Sequence, residues 1–417
     1  MHGRSRGWKW ASPGIFSLAW LGWAGLVLGA SIRPALGDCP RSEPRITGRT
    51  YPSIFAAWTL AERLNTAQSS HTALGELHGP WTTLARHDLF FGGWGKLGLK
   101  LAHPQNFPGL ETEFSTASIA DALRNRATLL AANPNLIILA EVRYYSASAT
   151  FLPPESPWWQ RRADGQRVSD DPEVKSYRLD IGNPGLQQMA ARICAALVHT
   201  GVFDGCMLDW WHDNDQPDAR LSLIRQIREA VGDKAILVAN VNRTLPMGTA
   251  AYLNGIYLEG FGSPRFYDWR QAAGNLRWAE GNLRCPNFTA LEGWWSEGRD
   301  DYRLMRMVTT LSLVFSDGYV LFADPNRLPT PDHLHDWYPF WDKSLGRPTA
   351  LAADPSRPDR GTGYSRRFEK GLVVFNPPDG KPSAVEFRQP KRSLATGATG
   401  QNFTVAPGDG DLFLDSP

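Results

Sequence analysis

Sulfur is scarce in this chain. Its four cysteines, Cys39, Cys194, Cys206 and Cys285, fit no zinc-binding spacing. An excess of one charge is missing too: 44 Lys and Arg face 42 Asp and Glu, so no electrostatic case exists for nucleic acid or an anionic membrane. No glycine-rich phosphate loop follows the first predicted strand, because Gly92-Gly93-Trp94-Gly95 has the wrong spacing. His212, Asp213 and Asp215 lack the spaced oxygens and the glycine of a calcium loop. Neither a resident metal nor a cofactor is expected. What the chain does have in excess is tryptophan, with 17 residues, and loops, with 31 prolines and 39 glycines among 417 residues.

The one long apolar run lies near the N-terminus. Arg4, Arg6 and Lys9 precede a mostly apolar core over 15–28, and Ala35-Leu36-Gly37 suits signal-peptidase cleavage. Residues 1–37 therefore read as a secretory signal, and the protein as secreted or periplasmic with no membrane attachment after cleavage. The competing reading is an uncleaved anchor, for which the stretch is short. Cleavage removes four basic residues (Arg4, Arg6, Lys9 and Arg33), leaving 40 against 42 acids. In an oxidising compartment four cysteines allow three complete pairings, although apolar surroundings also suit Cys194 and Cys206 as buried thiols. Nothing in the sequence sets an oligomeric state.

Residues 38–87 carry no clear period and are taken as a lead-in segment. A strand–helix alternation then begins. Short apolar runs at 89–91, 136–140, 177–181, 203–208, 235–239, 255–258, 288–291 and 318–323 are separated by helix-length amphipathic segments or loops. Asn183-Pro184 opens one of those helices, Asn as cap and Pro at the first position. Eight such strands predict a (β/α)8 TIM barrel over 88–345 in the α/β class. After 345 the texture turns to alternating strands such as 364–368 and 371–376, with Pro, Gly and Asp between them. This predicts a small C-terminal antiparallel, β-sandwich-like domain over 346–417.

Barrel chemistry sits at the carboxyl ends of the strands. Those ends are Trp94, Glu141, Asp180, Asp209, Asn240, Glu259, Glu292 and Asp324, with Trp210-Trp211 and Trp294-Trp295 beside them. Several acids and aromatic faces on one rim suit a sugar. Two carboxyl groups cleave the glycosidic bond, and rings stack on the apolar faces of the pyranose. Parity favours one pair: Gly205, Met207 and Asp209 share a side of their strand, as do Gly255, Tyr257 and Glu259. Asp209 and Glu259 are therefore the catalytic candidates. Trp94, Glu141, Asp180, Trp210, Trp211, Asn240, Glu292, Trp294 and Trp295 are the substrate-binding ones. Asp180 and Asp324 sit before turn signals and serve equally well as caps, and Glu141 and Glu292 equally well as ion-pair partners.

The run Phe203-Asp204-Gly205-Cys206-Met207-Leu208-Asp209 resembles a strand of TIM-barrel proteins in the hypothetical glycosyl hydrolase family 15 and in the endo-α-1,4-polygalactosaminidase-like family 114. Asp180-Ile181-Gly182-Asn183-Pro184 is similar to another of their strand ends, and the likeness extends over roughly 85–325. It implies a catalytic acid at Asp209 and a second at Glu259 or a neighbour. Trp210-Trp211-His212 departs from the short polar residues expected after the acid. The resulting expectation is a secreted glycoside hydrolase acting on a poly- or oligosaccharide. Two rival readings are a non-catalytic carbohydrate-binding barrel and a metal-dependent polysaccharide deacetylase using His212 and Asp213.

Overall fold

The computed structural model describes residues 43–59, 83–172, 175–264, 266–295, 297–325, 333–359 and 363–415. The expected signal segment, 1–37, lies outside them. No helix among the described residues is long and apolar enough to cross a membrane.

Eight parallel strands form one sheet: β1 (Phe55–Ala57), β2 (Leu89–Gly93), β3 (Ile137–Glu141), β4 (Gly205–Leu208), β5 (Ile236–Asn240), β6 (Gly255–Phe261), β7 (Phe288–Trp294) and β8 (Tyr319–Ala323). Neighbours in the sheet are neighbours in sequence. The cylinder closes where Ile54 bridges Val320 in parallel and the Val320 N–H donates to the Ser53 carbonyl at 3.0 Å. Each strand is buried on both faces, which is why it reads as an unbroken apolar run. One face turns inward, where Phe55, Phe91, Leu139, Met207, Val238, Tyr257, Ala290 and Leu321 fill the interior. The other packs on the helices α1 (Thr116–Ala132), α2 (Pro184–His199), α3 (Pro217–Val231), α4 (Trp269–Asn282) and α5 (Tyr302–Phe315).

Two strand assignments are corrected. The first stave, Phe55–Ala57, falls inside the segment expected to lead into the barrel; three residues are too few to show a period. The run at 177–181 is not a stave. Ser176–Arg178 pairs antiparallel with Ser146–Ser148 and Ser169–Asp171 in a separate small sheet between β3 and α2. Its residues are half-buried rather than buried on both faces. The two changes cancel in the count, so Asp209 and Glu259 remain on the fourth and sixth staves.

The expected cap holds: the Asn183 side chain accepts from the Gly185 and Leu186 N–H groups at the start of α2. Cys194 of α2 and Cys206 of β4 are bridged rather than free thiols. The outward face of β4 meets the helix just before it, which brings their Cα atoms to 6.2 Å, within disulfide reach. Beyond the barrel come β9 (Tyr364–Phe368), β10 (Gly371–Asn376), β11 (Ser383–Ser393), β12 (Thr399–Val405) and β13 (Asp409–Asp415). They form one antiparallel sheet in the order β9-β10-β13-β11-β12. Val374, Val385, Val405 and Phe413 make a small core within this sheet, while Tyr364, Val373, Phe375 and Leu412 join the barrel core.

Candidate active site

The motif around β4 divides its labour. Phe203 is core. The Asp204 carboxylate takes Arg126 at 2.6 Å, Arg45 at 2.8 Å and the Ile138 N–H at 2.8 Å. Burial alone would push this carboxyl up, but the two guanidiniums hold it below the usual range. It stitches the floor of the barrel. Five residues on, Asp209 leaves the opposite end of the same strand.

The inward face carries Glu141, Asp209, Asn240, Glu259 and Glu292 one step above the apolar interior. At their centre is Asn240, only 1% exposed. Its single Nδ2 donates to Asp209 Oδ1 at 2.8 Å and to Glu259 Oε2 at 2.7 Å, one hydrogen for each carboxyl. Asn242 Nδ2 adds a second donor to the same Glu259 oxygen at 2.9 Å. Burial pushes both carboxyl groups up. For Glu259, the charges of Glu292 and Asp209 add to burial and lift it to about 8 against the pull of His333. For Asp209 the push of burial is opposed by Asn240, Arg143 and the Trp210 N–H. Two acids in one network with unequal surroundings are suited to unequal roles.

Glu292 is fully buried. Its Oε2 accepts from the Tyr257 hydroxyl and, at 3.0 Å, from Trp294 Nε1; its Oε1 meets His333 Nδ1 at 2.6 Å. The other imidazole nitrogen, His333 Nε2, faces Glu259 Oε1 at 3.7 Å, and the ring stacks on Trp58 with centroids 4.6 Å apart.

Local backbone shape aims these groups. Between Leu291↔Leu258 and Gly293↔Phe261 the β6–β7 register slips, so Glu259 and Gly260 oppose the single residue Glu292. Such a bulge redirects a side chain, and bulges gather beside active sites. Gly260 sits at φ +82°, and a Cβ there would meet the Trp294 ring at 3.3 Å. Trp58, Trp210, Asn242 and His333 also hold left-handed backbone, at φ 50°, 53°, 48° and 54°. Non-glycine residues in that region cost about 1–2 kcal/mol each. Four of them around one pair of acids mark a site held against strain.

Asp209, Asn240, Glu259, Glu292 and Trp294 thus share one network. Glu141, paired with Arg143 at 3.1 Å, and Trp210 border the same cleft as Asp209. Trp210 is 45% exposed and stacks on Tyr145 at 6.0 Å. The remaining candidates have other surroundings. Trp211 is wholly buried, its Nε1 donating to Asp213 Oδ1 and Thr249 Oγ1; it is core, because the left-handed Trp210 turns one ring out and the next one in. Trp295 is likewise buried, against Phe322. Trp94 packs edge-on against Phe114. Asp180 closes its own turn by accepting from the Gly182 N–H at 3.1 Å. Sequence reasoning did not assign His333, Asn242 or Tyr257 to the site; the parity of Tyr257 with Glu259 and the place of Asn242 beside Asn240 at a strand end were the signals for two of them.

Among the described residues, Glu259, Glu292 and His333 are the one trio of possible metal ligands, their atoms within 4.8 Å of one another. Their geometry is that of hydrogen bonding. Two ligands of a tetrahedral ion at about 2.0–2.2 Å stand roughly 3.3–3.6 Å apart, whereas His333 Nδ1 and Glu292 Oε1 are 2.6 Å apart. His212 bonds Asn242 Oδ1 at 2.8 Å, and Asp213 accepts from the backbone of Gly248 and Thr249.

The family model for the hypothetical glycosyl hydrolase family 15 matches residues 143–372, more than half the chain and the whole stretch from Arg143 to His333. Among solved structures, a maltogenic α-amylase from Thermotoga neapolitana is similar over 88% of this chain and 98% of its own, with TM-score 0.50 and 12% identity. A β-L-arabinopyranosidase from Geobacillus stearothermophilus is similar over 90% and 100%, with TM-score 0.49 and 11% identity. At such identity the α-amylase likeness speaks for the barrel fold alone. No curated protein matches the chain.

Proposed function

Because the chain belongs to the hypothetical glycosyl hydrolase family 15 and is thereby a glycoside hydrolase, we propose that it cleaves a poly- or oligosaccharide with retention of anomeric configuration. Asp209 is the nucleophile, and Glu259 the acid and then the base. The observation that carries this reading is the Asn240 amide shared by both carboxyls. Asp209 Oδ1 and Glu259 Oε2 can be no further apart than its two bonds, 2.8 and 2.7 Å, laid end to end. Such closeness suits a retaining pair, about 5–5.5 Å apart, better than an inverting pair, which keeps about 6.5–9.5 Å for a water.

In the first step an Asp209 oxygen bonds to the anomeric carbon as the glycosidic C–O bond breaks. Glu259, protonated at neutral pH, gives its proton to the departing oxygen. Water then attacks the glycosyl ester, Glu259 takes the water's proton, and the Asp209 carboxylate leaves. Trp210 on Tyr145, together with Trp294, offers ring faces to the sugars, and Glu141 offers a carboxylate to their hydroxyls. The motif at 1–37 and the Cys194–Cys206 bridge support a secreted or periplasmic location. The deacetylase alternative would need His212 and Asp213 to share a metal, but both are engaged by loop groups.

A panel of polysaccharides and aryl glycosides tests the proposal. Asp209→Asn is expected to lower turnover of the best substrate by about 10³-fold or more, with folding and ligand binding kept. Proton NMR of the first-released anomer should show retention. Hydrolysis by Asp209→Asn near the wild-type rate, or an inverted first product, would defeat it.

A further inference from the structure

Glu259 Oε2 already accepts two amide hydrogens, from Asn240 and Asn242. If Glu259 donates a proton, as the proposed function requires, that proton rides on Oε1. The group facing Oε1 is His333 Nε2, at 3.7 Å. His333 is 1% exposed and clamped on its far side, where Nδ1 meets Glu292 Oε1 at 2.6 Å. Glu292 accepts there and from Tyr257 and Trp294 at its other oxygen, so donors face both of its oxygens. Trp58 covers one face of the ring. His335 Nδ1 donates to the His333 backbone carbonyl at 3.2 Å, and its Nε2 meets His87 Nε2 at 2.9 Å, away from the His333 ring.

We propose that His333 is a positioning residue for the acid/base carboxyl. Held as an imidazolium by Glu292, it supplies the opposite charge to Glu259 Oε1 each time that oxygen loses its proton. No proton passes through His333. Its Nδ1–H stays on Glu292, and its Nε2–H closes on Oε1 when Glu259 ionises and relaxes when Glu259 is reprotonated. The groups bearing on Glu259 are then Asp209 and Glu292, which hold its proton on, and His333, which helps it off. Asn240 and Asn242 orient it, and the Tyr257 hydroxyl touches both Glu292 and, at 3.4 Å, His333 Nδ1. The consequence is specific to the second half of the reaction. Once Asp209 is esterified its charge is gone, and His333 is left to make Glu259 an ionised base.

The test uses the full chain and the 4-nitrophenyl glycoside that wild type hydrolyses best. His333→Gln keeps a donor but removes the charge. The expected result is a basic limb of kcat/KM moved up by about 1 pH unit or more, and a glycosyl-enzyme that accumulates because its hydrolysis slows about tenfold. A folded His333→Gln protein with an unmoved limb and evenly reduced rates would overturn the proposal. Should that variant fail to fold, nitrogen NMR of the wild-type imidazole decides. A doubly protonated ring across pH 6–8 supports the assignment, and a neutral ring overturns it. Glu259→Gln separates this from the underlying reading: if that variant hydrolyses unactivated substrate at the wild-type rate, Glu259 is not the acid and the site assignment itself fails.

Discussion

At the scale of single residues, the clearest consequence concerns Glu259. Its carboxyl is held at about 8 in the folded protein against an ordinary 4.5, so between those values the folded state binds more protons than the unfolded one. Stability from this group is therefore greatest below about 4.5 and is lost as pH rises through 8. Above that, the buried charge costs on the order of a few kcal/mol. Glu259→Gln, which stays neutral, should raise the melting temperature at pH 9 far more than at pH 5, while activity falls. An equal gain at both pH values would show that the carboxyl is not strained by ionisation. On the proposed roles, kcat/KM is expected to fall above about pH 8, where Glu259 loses its proton, and a pH–rate profile checks this. Asp209 and Glu259 were legible in the sequence because strand parity is strict: two residues on from a buried inward side chain comes another inward one. Asn240 was legible as a site residue but not as the bridge, since a shared amide depends on distance. His333 could not be read, since it lies ten residues past β8 in a stretch whose sequence shows no period. The tryptophan doublets misled because one turned residue decides which ring faces the cleft, and periodicity carries no trace of that.

Among the elements, the β6 bulge is the most demanding. Gly260 has to be left-handed so that Glu259 and Gly260 can face Glu292 together, with Trp294 lying over the gap. Gly260→Ala introduces strain of about 1–2 kcal/mol and a methyl group 3.3 Å from the indole. It should lower the melting temperature modestly and kcat more than KM, because the acid and Trp294 are re-aimed together. A variant with wild-type kcat would mean that the bulge shapes the strand without aiming the acid. Trp211→Ala is the contrasting case. With its ring in the core and its N–H on Asp213 and Thr249, the loss should be one of stability, about 3–5 kcal/mol, read by denaturant unfolding. The strand pattern was legible for the seven staves long enough to show an apolar run. Phe55–Ala57 was too short for that, and 177–181 was a half-buried hairpin strand whose few apolar residues imitated one.

For the whole molecule, the sequence change after 345 suggested a second domain, but packing joins it to the barrel. Trp269 of α4 and Phe315 of α5 lie against Tyr364 and Phe375 of the C-terminal sheet, with ring centroids 5.0–5.7 Å apart. Arg306 of α5 grips both oxygens of Asp409 at 2.8 and 2.7 Å. Arg366 of β9 enters the barrel side, donating to the Leu313 and Ser316 carbonyls and to Asp317. At Gly410 a Cβ would stand 1.9 Å from Thr310 Oγ1, so strand and helix touch backbone to side chain. Interfaces this apolar do not come apart independently. Heating the full chain should therefore give one calorimetric transition. A chain ending at 345 should leave Trp269, Phe315 and the outer face of α5 in water and aggregate. Gly410→Val, a smaller insult, should lower the single transition without splitting it. Two resolved transitions, or a soluble truncated barrel that still unfolds cooperatively and retains hydrolysis, would show that the sheet is an appendage and that the acids at the strand ends do not depend on it.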